Sequence, residues 1–188
     1  MVELEQLCNE KNELVLLSET HMKYNKINID EKYSVINKMR SNDDKKGGGL
    51  QAFYRRDANF KMIEVDNDNS DILALLVEIG NMKIYIILVY FSVQNNLNDK
   101  RRNVKMKNNL ESLLNHFEGP ILVIGDFNAH VQGLGYQKEN MNGRQMLDTI
   151  GRYRLTMLNL DDRCQRLYTW ERSAHKSVID FGLEMKNS

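Results

Sequence analysis

The chain has 188 residues, with 26 Lys+Arg against 26 Asp+Glu, a formal net charge of zero and 41% hydrophobic content. This length suits one domain that buries roughly 70% of its unfolded surface, and the composition excludes both a disordered chain and one that binds nucleic acid by bulk charge alone. Cys8 and Cys164 exclude a disulfide framework and a cysteine-based zinc site, and they fit a reducing, intracellular compartment, nuclear or cytoplasmic.

From the N-terminus, Leu4, Leu7 and Cys8 share a helical face, so residues 4–12 predict a short helix. It feeds a buried strand at 14–17 that ends in Ser18-Glu19-Thr20-His21. Residues 33–39 alternate as a strand, Gly47-Gly48-Gly49 opens a strand at 50–54, and 60–65 is the next strand. The acidic, Asn-rich stretch 66–71 reads as a turn. Residues 72–79 and 82–91 are apolar, β-branched runs around Gly80-Asn81, which predicts a tight hairpin. Residues 98–117 form the clearest helix. Val104, Leu110, Leu113, Leu114 and Phe117 make its apolar side, Lys100, Arg101, Arg102, Lys105 and Lys107 crowd its first half, and Gly119-Pro120 stops it. A short buried strand at 121–124 ends in Gly125-Asp126-Phe127-Asn128. Asn142-Gly143 precedes a second helix at 144–153, and strands at 155–158, 167–170 and 178–184 complete the chain. Antiparallel hairpins with two helices outside predict a two-sheet α/β sandwich. No apolar run reaches the ~18 residues of a membrane span, and residues 1–5 carry no signal-peptide pattern.

Apolar strands that end in acidic or amide residues recur, at Glu19, at Asp126 with Asn128, and at Asp180. Such ends can converge at one rim of a sandwich. Carboxylate and amide oxygens suit a hard cation such as Mg²⁺. An Asp beside it can position or deprotonate a water, and an Asn can donate to a phosphate oxygen as charge develops there. Together these are the parts of metal-assisted phosphodiester cleavage. For any one carboxylate, a solvated strand end is the commoner role.

Other residues read more plainly. His130 reads as packed or hydrogen-bonded in its loop, His21 as structural or substrate-edge, His175 as a solvated turn residue and His116 as a helix-surface residue. The basic run reads as a solvated helix face. Trp170 suits either core or base stacking. Gly47 to Gly49 lacks the Lys-Ser/Thr helix of a phosphate-binding loop. The ten Met residues read as core fillers, and the 22 Asn residues as coding bias without function.

The strings Leu16-Leu17-Ser18-Glu19-Thr20-His21, Gly47-Gly48-Gly49-Leu50, Leu88-Val89-Tyr90, Ile124-Gly125-Asp126-Phe127-Asn128-Ala129-His130, Tyr168-Thr169-Trp170 and Ser177-Val178-Ile179-Asp180-Phe181 run in order along almost the whole chain. This series resembles the endonuclease/exonuclease/phosphatase (DNase I-like) superfamily. The Glu-Thr-His and Gly-Asp-Phe-Asn-Ala-His forms are most similar to the endonuclease domain of non-LTR retrotransposons. The resemblance implies a four-layered α/β sandwich of two sheets with helices outside, and Mg²⁺-dependent phosphodiester hydrolysis, with Mn²⁺ as the alternative ion. It implies Glu19 as the metal ligand and Asp126 as the group that orients or activates the attacking water. It further implies that Asn128 contacts the scissile phosphate, that Tyr90 approaches it, that Thr169 and Asp180 complete the polar rim with Asp180 supporting metal or water placement, and that His130 lies on the substrate side. DNA is the implied substrate, and a reverse-transcriptase domain the implied neighbour in a full-length element.

The chain departs from the family pattern at both ends. The family's first strand, with an Asn at the metal site, and its last Ser-Asp-His strand have no counterpart in residues 1–188. The family's Pro-containing loop after the strand is Phe91-Ser92-Val93-Gln94 here. The expectation is one incomplete domain over 1–188 with impaired catalysis. Two further readings stand beside it: an inactive scaffold that binds nucleic acid or protein, and a phosphatase for small phosphoesters.

Overall fold

The computed structural model describes residues 12–20, 31–39, 49–162, 168–172 and 175–186. In chain order these form β1 (Leu14–Ser18), β2 (Tyr33–Lys38), β3 (Leu50–Arg55), β4 (Lys61–Val65), β5 (Ile72–Ile79), β6 (Met82–Tyr90), α1 (Leu97–His116), β7 (Ile121–Asp126), α2 (Met141–Tyr153), β8 (Thr156–Met157), a 3₁₀ turn (Leu158–Leu160), β9 (Trp170–Arg172), β10 (His175–Ser177) and β11 (Asp180–Met185). The predicted helix at 4–12 lies outside the described residues, as do His21, Gly47 and Gly48.

A six-stranded sheet runs β4-β5-β6-β7-β11-β8, a three-stranded sheet runs β1-β3-β2, and β9 and β10 form a hairpin of their own. The β6–β7 pairing is parallel, with α1 as its crossover, and the other named pairings are antiparallel. One apolar layer lies between the two sheets and includes Leu50, Leu73, Leu75, Leu88 and Tyr90 with Leu14 and Leu16. A second lies between the large sheet and the helices and includes Ile87, Val89, Leu110, Ile121, Phe127, Met146 and Phe181. Side chains such as Leu110, Phe127 and Phe181, each under 2% exposed or close to it, contribute about 1.5–3 kcal/mol apiece. The predicted sandwich with outer helices is therefore present, and its helical layer, large sheet and small sheet fall within the described residues.

Local chemistry explains where the elements begin. Asn96 caps α1 by accepting from the Asp99 N–H. α1 then buries Asn103, Met106, Leu110 and Leu114, a stripe at three- and four-residue spacing. α2 starts at Met141, three residues before the predicted Arg144, because the Asn140 side chain accepts from the Gly143 N–H at 2.8 Å. Asn142 and Gly143 are thus inside the helix. Gly143 suits that place because a Cβ there would lie 2.0 Å from the His130 carbonyl oxygen. β11 starts at Asp180, not at Val178. The Val178 N–H goes to the Leu134 carbonyl and the Ile179 N–H to Thr169 Oγ1, so neither N–H is given to β7. The predicted strand at 155–158 shortens to β8 before the 3₁₀ turn.

The basic run on α1 is not simply a solvated face. Arg102 pairs with Asp71, which is 2% exposed. Lys107 bridges Glu111 and Asp148, both at 2.9 Å, and so ties α1 to α2. Among the described residues, no helix is long and apolar enough to cross a membrane.

Candidate active site

Three neighbouring strands end at one level. Tyr90 on β6 is the register partner of Asp126 on β7, and Asp126 is the partner of Asp180, the first residue of β11. In each case a phenylalanine follows: Phe91, Phe127 and Phe181. Side chains alternate across a sheet, so the rim residue and the following ring take opposite faces. The three rings pack together on the helix side, Phe91 on Phe127 at 5.3 Å and Phe127 edge-on to Phe181 at 5.9 Å. They leave the polar groups on an apolar floor.

Gly125 sets the approach of β7 to β6. Its φ is +144°, and a Cβ there would lie 2.1 Å from the Val89 carbonyl oxygen. A larger residue would push Asp126 away from Tyr90.

Asp126 is 7% exposed. Its Oδ1 accepts from the Asn128 backbone N–H at 2.7 Å, and its Oδ2 accepts from Asn128 Nδ2 at 3.0 Å. Asn128 adopts a left-handed backbone with φ +43°, which Asn tolerates better than most residues. Its Nδ2 also donates to the Phe91 carbonyl at 2.9 Å, so both hydrogens of that amide are engaged.

Electrostatics mark the same residues. Burial pushes the Asp126 carboxyl up to about 7, and the charges of Asp180 and Glu19 add to the shift against the two Asn128 bonds. Burial likewise raises Asp180, with a contribution from Glu19 and opposition from the Thr169 hydroxyl. Glu19 follows β1 with φ +53°, and its carboxylate accepts the Tyr90 hydroxyl. The small sheet therefore brings its acidic residue to the ends of β6, β7 and β11. Thr169 Oγ1 accepts from the Ile179 and Asp180 N–H groups, both at 3.0 Å, and so fixes the start of β11.

His130, two residues beyond Asn128, takes its partners from the loop. Its N–H goes to Asn140 Oδ1 at 3.0 Å, and its ring stacks on Tyr136 at 3.6 Å and 9°. Burial lowers its proton affinity, which favours the neutral ring. That geometry packs the His130 ring in its loop.

Sequence reasoning missed the amides behind the rim. Asn140 Nδ2 donates to the Asn128 carbonyl at 2.9 Å. Asn142 and Asn103, 2% and 1% exposed, hold the backbone of Phe127, Asn128 and Ser92. Abundant Asn reads as bias until its burial is known. The one signal available was Asn-Gly beside a predicted helix start.

The oxygen set can be tested against a cation. Glu19, Asp126 and Asp180 are paired with a phenol, an amide and a hydroxyl, and among the described residues no Lys or Arg bridges them. Such mutually repelling carboxylates fit a hard divalent ion. Among the described residues, however, no group of three His, Cys, Asp or Glu could hold one by side chains alone. The fit is to an ion that keeps several waters and takes one or two carboxylates, as Mg²⁺ does.

A family profile described as Endonuclease-reverse transcriptase matches residues 84–187. No curated protein sequence matches. Among solved structures, the chain is similar to the endonuclease domain of TRAS1, a telomere-specific non-LTR retrotransposon. The identity is 14% and the TM-score 0.67, covering 95% of this chain and 74% of that one. A 3′-5′ exonuclease from Neisseria meningitidis is similar at 14% identity and TM-score 0.66, covering 97% and 82%. An AP endonuclease from Archaeoglobus fulgidus is similar at 12% identity and TM-score 0.66, covering 96% and 79%. At these identities the likeness is one of fold, the two-sheet sandwich of the endonuclease/exonuclease/phosphatase proteins.

Proposed function

We propose, for a chain that belongs to the Endonuclease-reverse transcriptase family, that the rim of Glu19, Tyr90, Asp126, Asn128, Thr169 and Asp180 is a DNA-cleaving site of retrotransposon type. The observation that carries the reading is the set of three carboxylates at one rim, each held by neutral donors and two of them raised by burial and by their neighbours' charge. Glu19 would hold Mg²⁺ or Mn²⁺ with Tyr90 fixing its orientation, and the ion would supply charge neutralisation at the phosphate.

The chain's own groups do the rest. Ionised Asp126 takes the proton of the attacking water. The Asn128 carboxamide donates to a non-bridging phosphate oxygen, where charge grows in the transition state. Thr169 keeps Asp180 beside Asp126, and the Asp180 charge keeps Asp126 basic. A reverse-transcriptase domain in a full-length element is the partner this family membership suggests.

A second reading, slow or absent turnover on a binding scaffold, draws support from His130, whose ring is stacked on Tyr136 in the loop. Asp126 also holds a proton up to about pH 7, which limits it as a base at neutrality.

Nicking of supercoiled plasmid separates these readings. Mg²⁺-dependent nicking that disappears with chelator and in both Asp126→Ala and Glu19→Gln supports the enzyme. Unchanged nicking by Asp126→Ala overturns it. A folded protein that does not nick but retains duplex DNA supports the scaffold.

A further inference from the structure

We propose that Asn142, backed by Asn103, is a positioning residue for Asn128, an inference that rests on the proposed site. Asn142 is the second residue of α2 and Asn103 lies on α1, yet both reach the loops that carry the rim. The Asn142 Nδ2 lies 3.1 Å from the Phe127 carbonyl oxygen, 3.3 Å from that of Asn128 and 3.2 Å from that of Ser92. Its Oδ1 accepts from Asn103 Nδ2 at 2.9 Å and from Gln94 Nε2 at 2.5 Å. An Asn side chain has two donor hydrogens and two acceptor lone pairs, and here all four are used.

Asn103 completes the frame. Its Oδ1 accepts from the Ser92 N–H at 3.1 Å, and its Nδ2 donates to the Ser92 carbonyl at 2.7 Å. One side chain thus pairs with both backbone groups of a single residue, as a neighbouring strand would. Ser92 adjoins Phe91, whose carbonyl receives Asn128 Nδ2. The network therefore grips both loops that orient the Asn128 carboxamide, one through Ser92 and Phe91 and the other through Phe127 and Asn128. Asn140 adds a second donor to the Asn128 carbonyl at 2.9 Å. A left-handed non-glycine backbone persists only where its surroundings over-determine it, and the amides of Asn103, Asn142 and the capping Asn140 do so here.

No other side chain of this size fills the place. Leucine would withdraw a donor from three carbonyls, of which those of Ser92 and Asn128 keep Asn103 and Asn140, and aspartate would turn an oxygen toward them. Both changes free the loop without touching the rim.

Two readouts test the inference with Asn142→Asp. The first is exchange of the Asn128 side-chain amide protons, followed by NMR, which needs no catalysis. Loss of their protection is expected, and unchanged protection overturns the inference. The second is nicking. The kcat is expected to fall about 10–100-fold, as for outer residues that orient a site, with KM little changed. The same substitution in an Asn128→Ala background is expected to cost nothing further, because Asn142 acts through Asn128. An equal fall in both backgrounds marks a merely structural role and overturns the inference. Asn103→Ser, one bond further out, is the second variant should Asn142→Asp not fold, with the same readouts in smaller size. A parent chain that does not nick sinks the proposed site, and amide exchange then decides the positioning by itself.

Discussion

Tyr90 and Asp126 are register partners across the parallel pairing of β6 and β7. The pairing makes a phenol from one strand and a carboxylate from the next neighbours by construction. A one-residue slip would send either side chain to the opposite face, where the phenylalanines pack. The rim is therefore as well specified as the hydrophobic register beneath it.

Asp126→Asn should stabilise the metal-free protein at high pH. The folded-state carboxyl is raised from its ordinary 3.8 to about 7. The folded state thus binds the proton more tightly than the unfolded one. The stability this gives is complete below 3.8 and is lost as pH rises through about 7. Above that, the parent carries a buried charge and the variant does not. Urea midpoints in chelator should favour Asp126→Asn by on the order of 1–3 kcal/mol at pH ~8.5, with the gap closing toward pH ~4. A variant no more stable than the parent at the higher pH refutes the assignment.

Tyr90→Phe removes the hydroxyl that Glu19 accepts, at a residue 5% exposed. The expected cost is about 1 kcal/mol of stability, the net worth of one hydrogen bond. Mg²⁺-dependent nicking should slow about tenfold or more, because Glu19 loses the group that orients it. Raised Mg²⁺ should restore part of the rate. A rate that is unchanged at limiting Mg²⁺ counts against Glu19 as the ligand.

Gly125→Ala should be among the most damaging single methyls in the described residues. The added carbon meets the Val89 carbonyl oxygen at 2.1 Å, and φ +144° suits only glycine. Several kcal/mol or a failure to fold is expected, in contrast to Gly151→Ala on α2, where an added Cβ meets nothing within 4 Å. Thermal denaturation of the pair gives the comparison.

Arg102→Ala should cost about 2–3 kcal/mol, because it takes one charge partner from the buried Asp71 carboxylate. The effect should reach the rim, since the Asp71 carbonyl accepts the Tyr90 N–H at 3.0 Å. Replacing both residues by Leu should cost less than Arg102→Ala alone, which a double-mutant cycle measures.

Much of this was legible in the residues. The β5–β6 hairpin, the long helix and the Gly-Asp-Phe-Asn strand end follow from period, turn chemistry and punctuation. So do the acidic strand ends at Glu19, Asp126 and Asp180, while their grouping into one site rests on the family resemblance of the motif series. The amides were not legible. Asn103 lies among lysines and arginines on α1, and nothing local distinguishes it from Asn108 or Asn109. Its role depends on Ser92, eleven residues away, and on Asn142 in another helix. The pairing of Lys107 with Asp148 is hidden for the same reason. The start of α2 was misjudged because Asn140, not Asn142, supplies the cap. The repeat of a rim residue followed by Phe, at Tyr90, Asp126 and Asp180, was in plain view, but only the register shows that the three rings meet.

The full commitment of the Asn128 amide has a consequence for the order of events. A phosphate reaching this carboxamide finds no idle hydrogen, so it must displace an existing acceptor. The carbonyl of Phe91 is fixed in backbone, whereas the Asp126 Oδ2 belongs to a side chain and is the easier to release. In the proposed reaction, Asn128 turning to a phosphate would take from Asp126 one of the two donors that hold its charged form, and its appetite for a proton would grow. Docking and activation of the base would then be a single exchange. A water beside Asp126 would be primed only once there is a phosphate for it to attack.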